Sequence, residues 1–310
     1  MRRFIVNALG FAGLTGTLIG GVCAWEIVAE IRAYRREVIP PSGADVLLTS
    51  DSQLAKSVDP EIAPRFFNFC ANGRQLDQAY MVADDVIRAA SGKIRSVGID
   101  VSPQILAAPL DTPISKMEYA ARYWLLHILH WRNLNIRDLR GVIKVARDNL
   151  AGRRWRHAWR AVRGRVVFRS SLFGEYAPLA DCVKKENPGF YRGLLNDKVR
   201  RSVSVGRMTG DESAFRLLAK MIADFHARKL AVFVVTTPWN QDLLARFHSG
   251  ELEHFTRLMQ IFCRDNHVPY LDFLRTPFPE EEWIDSNHLN VRGAKRFTSM
   301  LLRAIEEAGL

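Results

Sequence analysis

The stretch Val46-Leu47-Leu48-Thr49-Ser50-Asp51-Ser52-Gln53 predicts a buried β-strand that ends in a polar turn carrying Ser52. Similar runs predict five strands in all, at residues 45–50, 66–70, 94–99, 231–236 and 269–272. Helical patterns over 75–90, 211–228, 251–266 and 291–307 alternate with them. The fourth strand is continuously apolar, as expected when helices cover both faces of a sheet. The alternation predicts a three-layer αβα domain with a five-stranded, flavodoxin-like parallel sheet.

Chemically active residue types follow the predicted strands. In an open parallel sheet, ligands bind beyond the carboxyl ends of the strands, which meet at one edge. The residues that follow strands one to five are, in order, Ser52; Asn72 and Gly73; Asp100; Thr237 and Trp239; and Asp285 and His288. We therefore expect all of them at one edge, with Asp100, Thr237 and Trp239 as candidate substrate contacts.

The stretch Asp285-Ser-Asn-His288-Leu-Asn-Val-Arg-Gly293 places an acid three residues before a histidine, just ahead of a predicted helix. A carboxylate at this spacing can orient an imidazole, which can then serve as general base for a nucleophile such as Ser52. Taken singly, each residue has a simpler interpretation, as a turn serine, a helix-start acid or a surface histidine. Their order along the chain and their shared sheet edge favour an active site.

The positive charge of this chain is concentrated in one segment. The 310 residues carry a net charge of +11, and residues 132–169 hold twelve Arg or Lys against two Asp. Within it, Trp155 and Trp159 lie among the arginines. Contact with an anionic membrane surface, contact with an acidic polysaccharide and a solvated helix face all fit this pattern. Nucleic-acid binding fits less well, because the chain also predicts an extracytoplasmic anchor.

That anchor is the N-terminal segment, residues 4–25, which carries no charged side chain. As a helix it would span about 33 Å, enough for a bilayer core. We expect an uncleaved transmembrane helix, with a cleaved signal peptide as the main alternative. Arginines stand on both sides of it, so charge alone does not orient it. Gly16 and Gly20 form a G-x-x-x-G pair that could let two such helices approach.

The rest of the chain divides around a long insertion. We expect an anchor and juxtamembrane segment at 1–37, a first part of the α/β domain at 38–108, a helical basic cap at 109–206 and the second part at 207–310. The insertion is too long for an ordinary connection between two strands. Helical patterns at 117–134 and 136–150 lie inside it.

The four cysteines form no C-x-x-C pair, and His248 and His254 have no acidic partner at metal-ligand spacing. We therefore expect no metal and no cofactor. Buried free thiols are the favoured state of the cysteines, with a disulfide as the alternative.

These motifs resemble those of the SGNH (GDSL-like) hydrolase superfamily, most closely its membrane-anchored, extracytoplasmic acyl-transfer branch. Ser50-Asp51-Ser52-Gln53 is similar to the first block, usually Gly-Asp-Ser, and Asn72-Gly73 to the second, whose glycine donates a backbone N–H. Asp285-x-x-His288, followed by Leu289-Asn290 and Gly293, is similar to the last. The resemblance covers residues 45–107 and 230–310.

The resemblance implies a serine esterase or O-acyltransferase with Ser52, His288 and Asp285 as catalytic residues. Ser52, Gly73 and Asn72 would form the oxyanion hole. The implied partners are the membrane and an acylated polysaccharide or other envelope polymer. The resemblance also allows a membrane-bound acyl-donor enzyme as a partner. The soluble domain would then be periplasmic or otherwise extracytoplasmic.

One departure from the family pattern concerns the third block, usually Gly-x-Asn-Asp, where this chain has Gly98-Ile99-Asp100. An ionised carboxylate only accepts hydrogen bonds, so Asp100 would not stabilise an oxyanion. This keeps open a non-catalytic envelope assembly or glycan-binding protein on a degenerate SGNH scaffold. A lipid esterase facing the cytosol is a third interpretation.

Overall fold

The computed structural model describes residues 21, 24–25, 28–71, 74–107, 126, 129–130, 212–247 and 249–310. The chain divides into two compact units, Met1–Glu37 with Pro113–Phe173, and Val38–Thr112 with Gly174–Leu310. In the first unit, residues 28–37 form a helix in which Ala33 and Tyr34 are buried. The second unit contains the sheet and the residues of the predicted active site.

Five parallel strands form the sheet of the second unit. They are β1 (Val46–Thr49), β2 (Phe66–Asn68), β3 (Ser96–Asp100), β4 (Ala231–Thr236) and β5 (Tyr270–Asp272). Their spatial order is β2-β1-β3-β4-β5, with every neighbouring pair parallel. This is the flavodoxin-like order, so the predicted sheet is confirmed.

Seven helices accompany the strands in the described part of this unit. They are α1 (Ser52–Ser57), α2 (Leu76–Ala89), α3 (Pro103–Ala107), α4 (Glu212–Ala227), α5 (Gln241–Leu244), α6 (Ser249–Asp265) and α7 (Val291–Glu307). The four long ones lie within two residues of their predicted ends. The short helices were not predicted, and α1 corrects one expectation, because Ser52 begins a helix and does not sit in a turn.

Helices cover both faces of the sheet. Side chains alternate along a strand, so Leu48 and Thr49 of β1 point to opposite faces. Leu48 belongs to an apolar cluster with Leu54 of α1 and Phe297 of α7. Thr49 donates its hydroxyl to the carbonyl of Ala79 in α2, at 3.1 Å. Since α2 also packs on α4, the architecture is the predicted three-layer αβα arrangement.

A glycine in the central strand allows the closest packing within this apolar cluster. A Cβ at Gly98 would lie 2.5 Å from the Phe233 ring and 2.7 Å from Leu48. Any larger residue would therefore require the Phe233 ring and the Leu48 side chain to shift. Overpacking of this kind costs about 1–3 kcal/mol.

Two of the expected segments fall mainly outside the described residues. Of the predicted anchor at 4–25, Gly21, Ala24 and Trp25 are described, as helix. Across the described ranges, no helix combines the length and the apolar character that crossing a bilayer requires. The insertion at 109–206, with its basic segment, is described only at residues 126, 129 and 130.

Candidate active site

Ser52 is the first residue of α1, at the carboxyl end of β1. Asp51 caps this helix, because its side-chain Oδ1 accepts the backbone N–H of Gln53 at 2.8 Å. An aspartate at the N-cap also favours the positive end of the helix dipole. On the inner side of the helix, Leu54 and Ala55 are buried in the core. The cap and this burial together fix where the Ser52 hydroxyl sits.

The helix that carries Ser52 is held by the helix that follows His288. In α7, the Thr298 hydroxyl accepts the backbone N–H of Asp59 at 2.8 Å and donates to the carbonyl of Ala294 at 2.7 Å. Asp59 lies two residues after α1, and α1 packs against α7. This contact, between residues 239 positions apart, brings the two ends of the domain together.

Asp285 organises the loop in front of α7. Its Oδ1 accepts the backbone N–H groups of Asn287 and His288, both at 3.0 Å. The backbone N–H of Ile284 donates to the His288 carbonyl at 2.8 Å, and Trp283 and Leu289 form an antiparallel bridge. The loop is thus closed on itself around the carboxylate.

Three side chains form a continuous chain of hydrogen bonds. Ser52 Oγ lies 2.9 Å from His288 Nε2, and His288 Nδ1 lies 2.8 Å from Asp285 Oδ2. The His288 and Asp285 side chains are only 12% and 13% exposed, so water competes weakly for these bonds. With the carboxylate holding the proton on Nδ1, Nε2 is the unprotonated ring nitrogen that faces the serine hydroxyl.

Asn290 and Gly293 hold this loop against the start of α7. Asn290 caps α7 by accepting the N–H groups of Arg292 and Gly293, and its Nδ2 donates to the Glu281 carbonyl at 2.6 Å. A Cβ at Gly293 would overlap the carbonyl oxygen of Glu282, in the 3₁₀-helix Glu280–Glu282. Only glycine lets these two elements approach so closely, which explains the glycine in the motif.

Two residues expected to contact substrate instead support the nucleophile helix. Thr237 Oγ1 donates to Gln53 Oε1 at 3.0 Å, and the Trp239 ring N–H approaches the same oxygen at 3.5 Å. Both side chains are fully buried. A group without exposed surface cannot touch a substrate unless its surroundings move, so we assign Thr237 and Trp239 a structural role in supporting α1. The loop after β4, which carries both residues, packs inward onto the buried Gln53 side-chain oxygen.

Asp100 departs further from expectation. It is the last residue of β3, is fully buried, and Ser50 donates its hydroxyl to the Asp100 backbone carbonyl at 2.7 Å. Burial, and then the nearby charge of Asp51, raise the pKa of the Asp100 carboxyl well above its usual value. Asp100 is therefore a fully buried carboxyl with a raised pKa, and its role as a substrate contact stays a prediction.

The oxyanion-hole residues are only partly described. Asn72 and Gly73 lie outside the described residues. The backbone N–H of Ser52 is at the first position of α1, where helix geometry leaves it without an intrahelical acceptor. It is therefore a donor that the helix itself does not use.

The two described cysteines, Cys70 and Cys263, are buried free thiols, as expected. Burial raises the pKa of Cys263 to about 12, so it is not a reactive thiolate. Over the part of the chain that the structure describes, no group of three His, Cys, Asp or Glu side chains is arranged to hold a metal ion.

Comparison with known proteins adds distant structural similarities. No family model matches the chain, and no curated protein matches it. A structure described as a candidate acylhydrolase from Bacteroides fragilis is 10% identical, covers 90% of this chain and 97% of its own, and has a TM-score of 0.44. One described as a candidate platelet activating factor from Streptococcus pneumonia is also 10% identical, with coverages of 96% and 98% and a TM-score of 0.41. Similarities this distant say nothing about the activity of this chain.

Proposed function

We propose that this protein is a serine esterase or O-acyltransferase that acts through an acyl-enzyme on Ser52. The observation that carries the proposal is the hydrogen-bond chain from Ser52 Oγ to His288 Nε2 at 2.9 Å and from His288 Nδ1 to Asp285 Oδ2 at 2.8 Å. A serine hydroxyl is a weak nucleophile until an adjacent base takes its proton, and this geometry supplies the base and its orienting carboxylate.

In the first half of the reaction, Ser52 Oγ attacks an ester carbonyl while His288 Nε2 takes the hydroxyl proton. The imidazolium that forms is stabilised by Asp285, which stays ionised. His288 then gives this proton to the departing alcohol oxygen, and the carbon–oxygen bond to the alcohol breaks. The acyl group remains on Ser52.

In the second half, a water molecule or a sugar hydroxyl gives its proton to His288 Nε2 and attacks the acyl carbonyl. His288 returns the proton to the Ser52 oxygen as the acyl group leaves it. Water gives hydrolysis, whereas a sugar hydroxyl gives transfer. The backbone N–H groups of Ser52 and Gly73, with Asn72, would hold the oxyanion, each donor contributing about 3 kcal/mol.

The substrate class follows from the resemblance and from the composition of the chain. An apolar N-terminal segment and a strongly basic insertion suit a protein held at a membrane, close to anionic envelope material. We therefore propose acylated glycans or related envelope polymers as substrates, the extracytoplasmic side as the location, and a membrane-bound acyl-donor enzyme as a partner.

A fluorophosphonate probe followed by peptide mass spectrometry tests the nucleophile. We expect the wild type to be modified at Ser52, and Ser52→Ala to lose both labelling and 4-nitrophenyl acetate hydrolysis by at least about 10³-fold. Ser299→Ala is the matched control, because Ser299 is an exposed serine whose hydroxyl bonds its own helix at the Lys295 carbonyl. It should label as the wild type does.

The same experiment decides the rival function. A buried Asp100 where a hydrolase of this type usually has asparagine favours a non-catalytic envelope assembly or glycan-binding protein as second candidate. A folded wild type whose Ser52 never reacts with the probe would support that candidate and overturn the esterase. Adding acylated and free sugar acceptors to a reactive enzyme would separate transfer from hydrolysis.

A further inference from the structure

The loop after β4, residues 237–240, is buried along its whole length. It begins directly after Thr236, the last residue of β4, and ends at Asn240, which caps α5. A buried segment must satisfy its polar groups inside the protein. The hydrogen bonds of this loop therefore show which parts of the molecule it holds.

On one side, the loop binds the residue that follows the nucleophile. The Thr237 hydroxyl donates to Gln53 Oε1 at 3.0 Å, and the Trp239 ring N–H approaches the same oxygen at 3.5 Å. A tryptophan ring N–H can only donate, so the oxygen of Gln53, and not its NH₂ group, faces the loop. Asp51 Oδ1 accepts the Gln53 backbone N–H at 2.8 Å. Gln53 is thus held by its side chain and by its backbone, and Ser52 is its neighbour in the chain.

On the other side, the loop binds the segment that carries the base. The backbone N–H of Asn240 donates to the Ser286 carbonyl at 3.0 Å. Ser286 follows Asp285 and lies two residues before His288, and its side chain is fully buried. This backbone contact fixes the Asp285 motif relative to the end of β4.

The loop itself is fastened to the sheet and to its flanking segments. The Thr236 hydroxyl donates to the Val101 carbonyl at 2.8 Å, just beyond β3. The Trp239 backbone N–H donates to the Leu274 carbonyl at 3.1 Å, beyond β5, and the Trp239 ring packs on Phe247 with centroids 5.7 Å apart. A loop held at so many points resists movement with either catalytic element.

We propose that residues 237–240 form a spacer that sets the distance between Ser52 and His288, and that Thr237 is its positioning residue on the Ser52 side. The proposal deepens the esterase function and rests on it. Ser52 Oγ must stay within hydrogen-bond reach of His288 Nε2, which is 2.9 Å away, for the proton to pass. Without the Thr237 bond, the first turn of α1 can shift, and a misplacement of about 1 Å can cost about 10²-fold in rate.

The kinetics of Ser52 labelling by the fluorophosphonate probe test this role. Thr237→Val removes the hydroxyl and keeps the branched shape of the side chain. Its maximal labelling rate at saturating probe should fall at least about tenfold. The probe concentration that gives half of that rate should change by less than about twofold, since the buried Thr237 offers no surface to a ligand. Thr237→Ser keeps the hydroxyl and should label within about threefold of the wild type.

Thr49→Val is the matched control for Thr237→Val. Thr49 is also fully buried, and its hydroxyl donates to the Ala79 carbonyl of α2 at 3.1 Å. Both valine variants lose one buried hydrogen bond and should lower the midpoint of urea unfolding, but Thr49→Val should label at the wild-type rate. Equal slowing in the two variants would show that labelling follows stability, and would refute the positioning role.

A double-mutant cycle tests whether Thr237 acts through Gln53. Gln53→Met removes the acceptor oxygen at similar side-chain size. Because the acceptor is then gone, adding Thr237→Val should slow labelling by less than about threefold further. A full tenfold effect of Thr237→Val in both backgrounds would mean that Thr237 acts by another route, against the proposal.

The contact on the His288 side is tested by removing one backbone N–H. Asn240 has a φ of −63°, which proline adopts, so Asn240→Pro deletes the donor to Ser286 at a compatible backbone angle. Asn240→Ala is its control, because it loses the same capping side chain and keeps the N–H. The proline variant should label at least about tenfold more slowly than the alanine variant. Equal rates would overturn the spacer on this side.

These measurements separate failure of the spacer from failure of the esterase. A folded wild type that never labels defeats the esterase and the spacer with it. A wild type that labels at Ser52, beside a Thr237→Val variant that labels equally fast, defeats the spacer alone.

Discussion

At the scale of single residues, the Asp285 carboxylate serves both its own loop and the His288 ring. Oδ1 accepts from the backbone at Asn287 and His288 and lies 3.0 Å from His288 Nδ1, while Oδ2 lies closer to that nitrogen, at 2.8 Å. One carboxylate therefore shapes the loop and orients the ring. Substituting asparagine separates these roles, because its amide oxygen can still accept from the backbone while its NH₂ group can only donate to the ring.

We predict that Asp285→Asn folds normally but loses most of its activity. The amide NH₂ would force the His288 proton onto Nε2, so the ring could no longer take the proton of Ser52. The expected fall in kcat is about 10⁴-fold, as for the wrong tautomer in other triads. Steady-state ester hydrolysis measures the rate, and thermal unfolding measures stability.

The melting temperature of Asp285→Asn should stay within about 3 °C of the wild type, because the loop keeps its acceptor. Asp265→Asn, an exposed aspartate on α6, is the control and should change neither quantity. A kcat close to that of the wild type would show that Asp285 is not the orienting group.

The stability of the folded protein should depend on pH through the buried carboxyl of Asp100. The pKa of Asp100 is higher in the folded than in the unfolded chain, so the folded state holds the extra proton. Stability of the wild type must therefore fall as pH rises above the usual aspartate value, until the pH passes the raised pKa. Asp100→Asn lacks this loss and should melt at least about 3 °C higher at neutral pH.

Calorimetric melting of the wild type and Asp100→Asn across the pH range checks the direction of this difference in melting temperature. The advantage of the variant should vanish below about pH 3, where the wild-type aspartate is protonated in both the folded and the unfolded state. A variant that is less stable than the wild type at neutral pH would mean that Asp100 is ionised and paired in the native protein.

Sequence could indicate some of these residues and not others, for a physical reason. Asp285 and His288 are three positions apart, so local backbone geometry alone brings them together. Gln53 gave no signal, because its partners Thr237 and Trp239 are more than 180 positions away and meet it only in the folded core. Likewise, only the folded structure shows that the Asp100 side chain is fully buried.

At the scale of secondary structure, the decisive contact is between the end of α1 and α7. Each helix carries one reacting group at or just before its start. The Thr298 hydroxyl of α7 links the two helices by accepting the backbone N–H of Asp59, just after α1. Long helices such as α7 were predictable from their apolar period. The six-residue α1 was not, since so short a helix depends on its Asp51 cap and on packing rather than on periodicity.

We predict that Gly293→Ala both lowers the stability of the protein and slows the reaction of Ser52 with the probe. The new methyl group would overlap the Glu282 carbonyl and lie close to Leu289 Cδ2, pushing α7 away from the loop that holds His288. Overpacking of this kind costs about 1–3 kcal/mol. Urea unfolding measures the loss, and Ser52 labelling should slow in the same variant.

Gly250→Ala is the matched control for Gly293→Ala. A Cβ at Gly250, in α6, has open space around it, so the substitution should not destabilise the protein. Equal stability of both variants would show that the loop and α7 can separate without cost, and that Gly293 does not set their spacing.

At the scale of the whole molecule, one sheet edge gathers contributions from every part of the α/β unit. Ser52 follows β1, Asp100 ends β3, Thr237 follows β4, and the Asp285 loop comes after β5. Strand order predicted this gathering, because all carboxyl ends of a parallel sheet share an edge. Strand order does not predict which side chains at that edge turn inward, since that depends on buried partners such as Gln53.

The proposed location can be tested in intact cells with a single cysteine near the start of this unit. Ser42 is exposed in the turn before β1, and Ser42→Cys keeps the neighbouring Gly43, whose φ of +93° favours glycine. If the domain is extracytoplasmic, a membrane-impermeant maleimide should label Ser42→Cys in unbroken cells. The unsubstituted full chain, with Cys23, Cys70, Cys182 and Cys263, reports the background labelling that is subtracted. Labelling that needs permeabilised cells would place the site in the cytosol and favour a lipid ester as substrate over an envelope glycan.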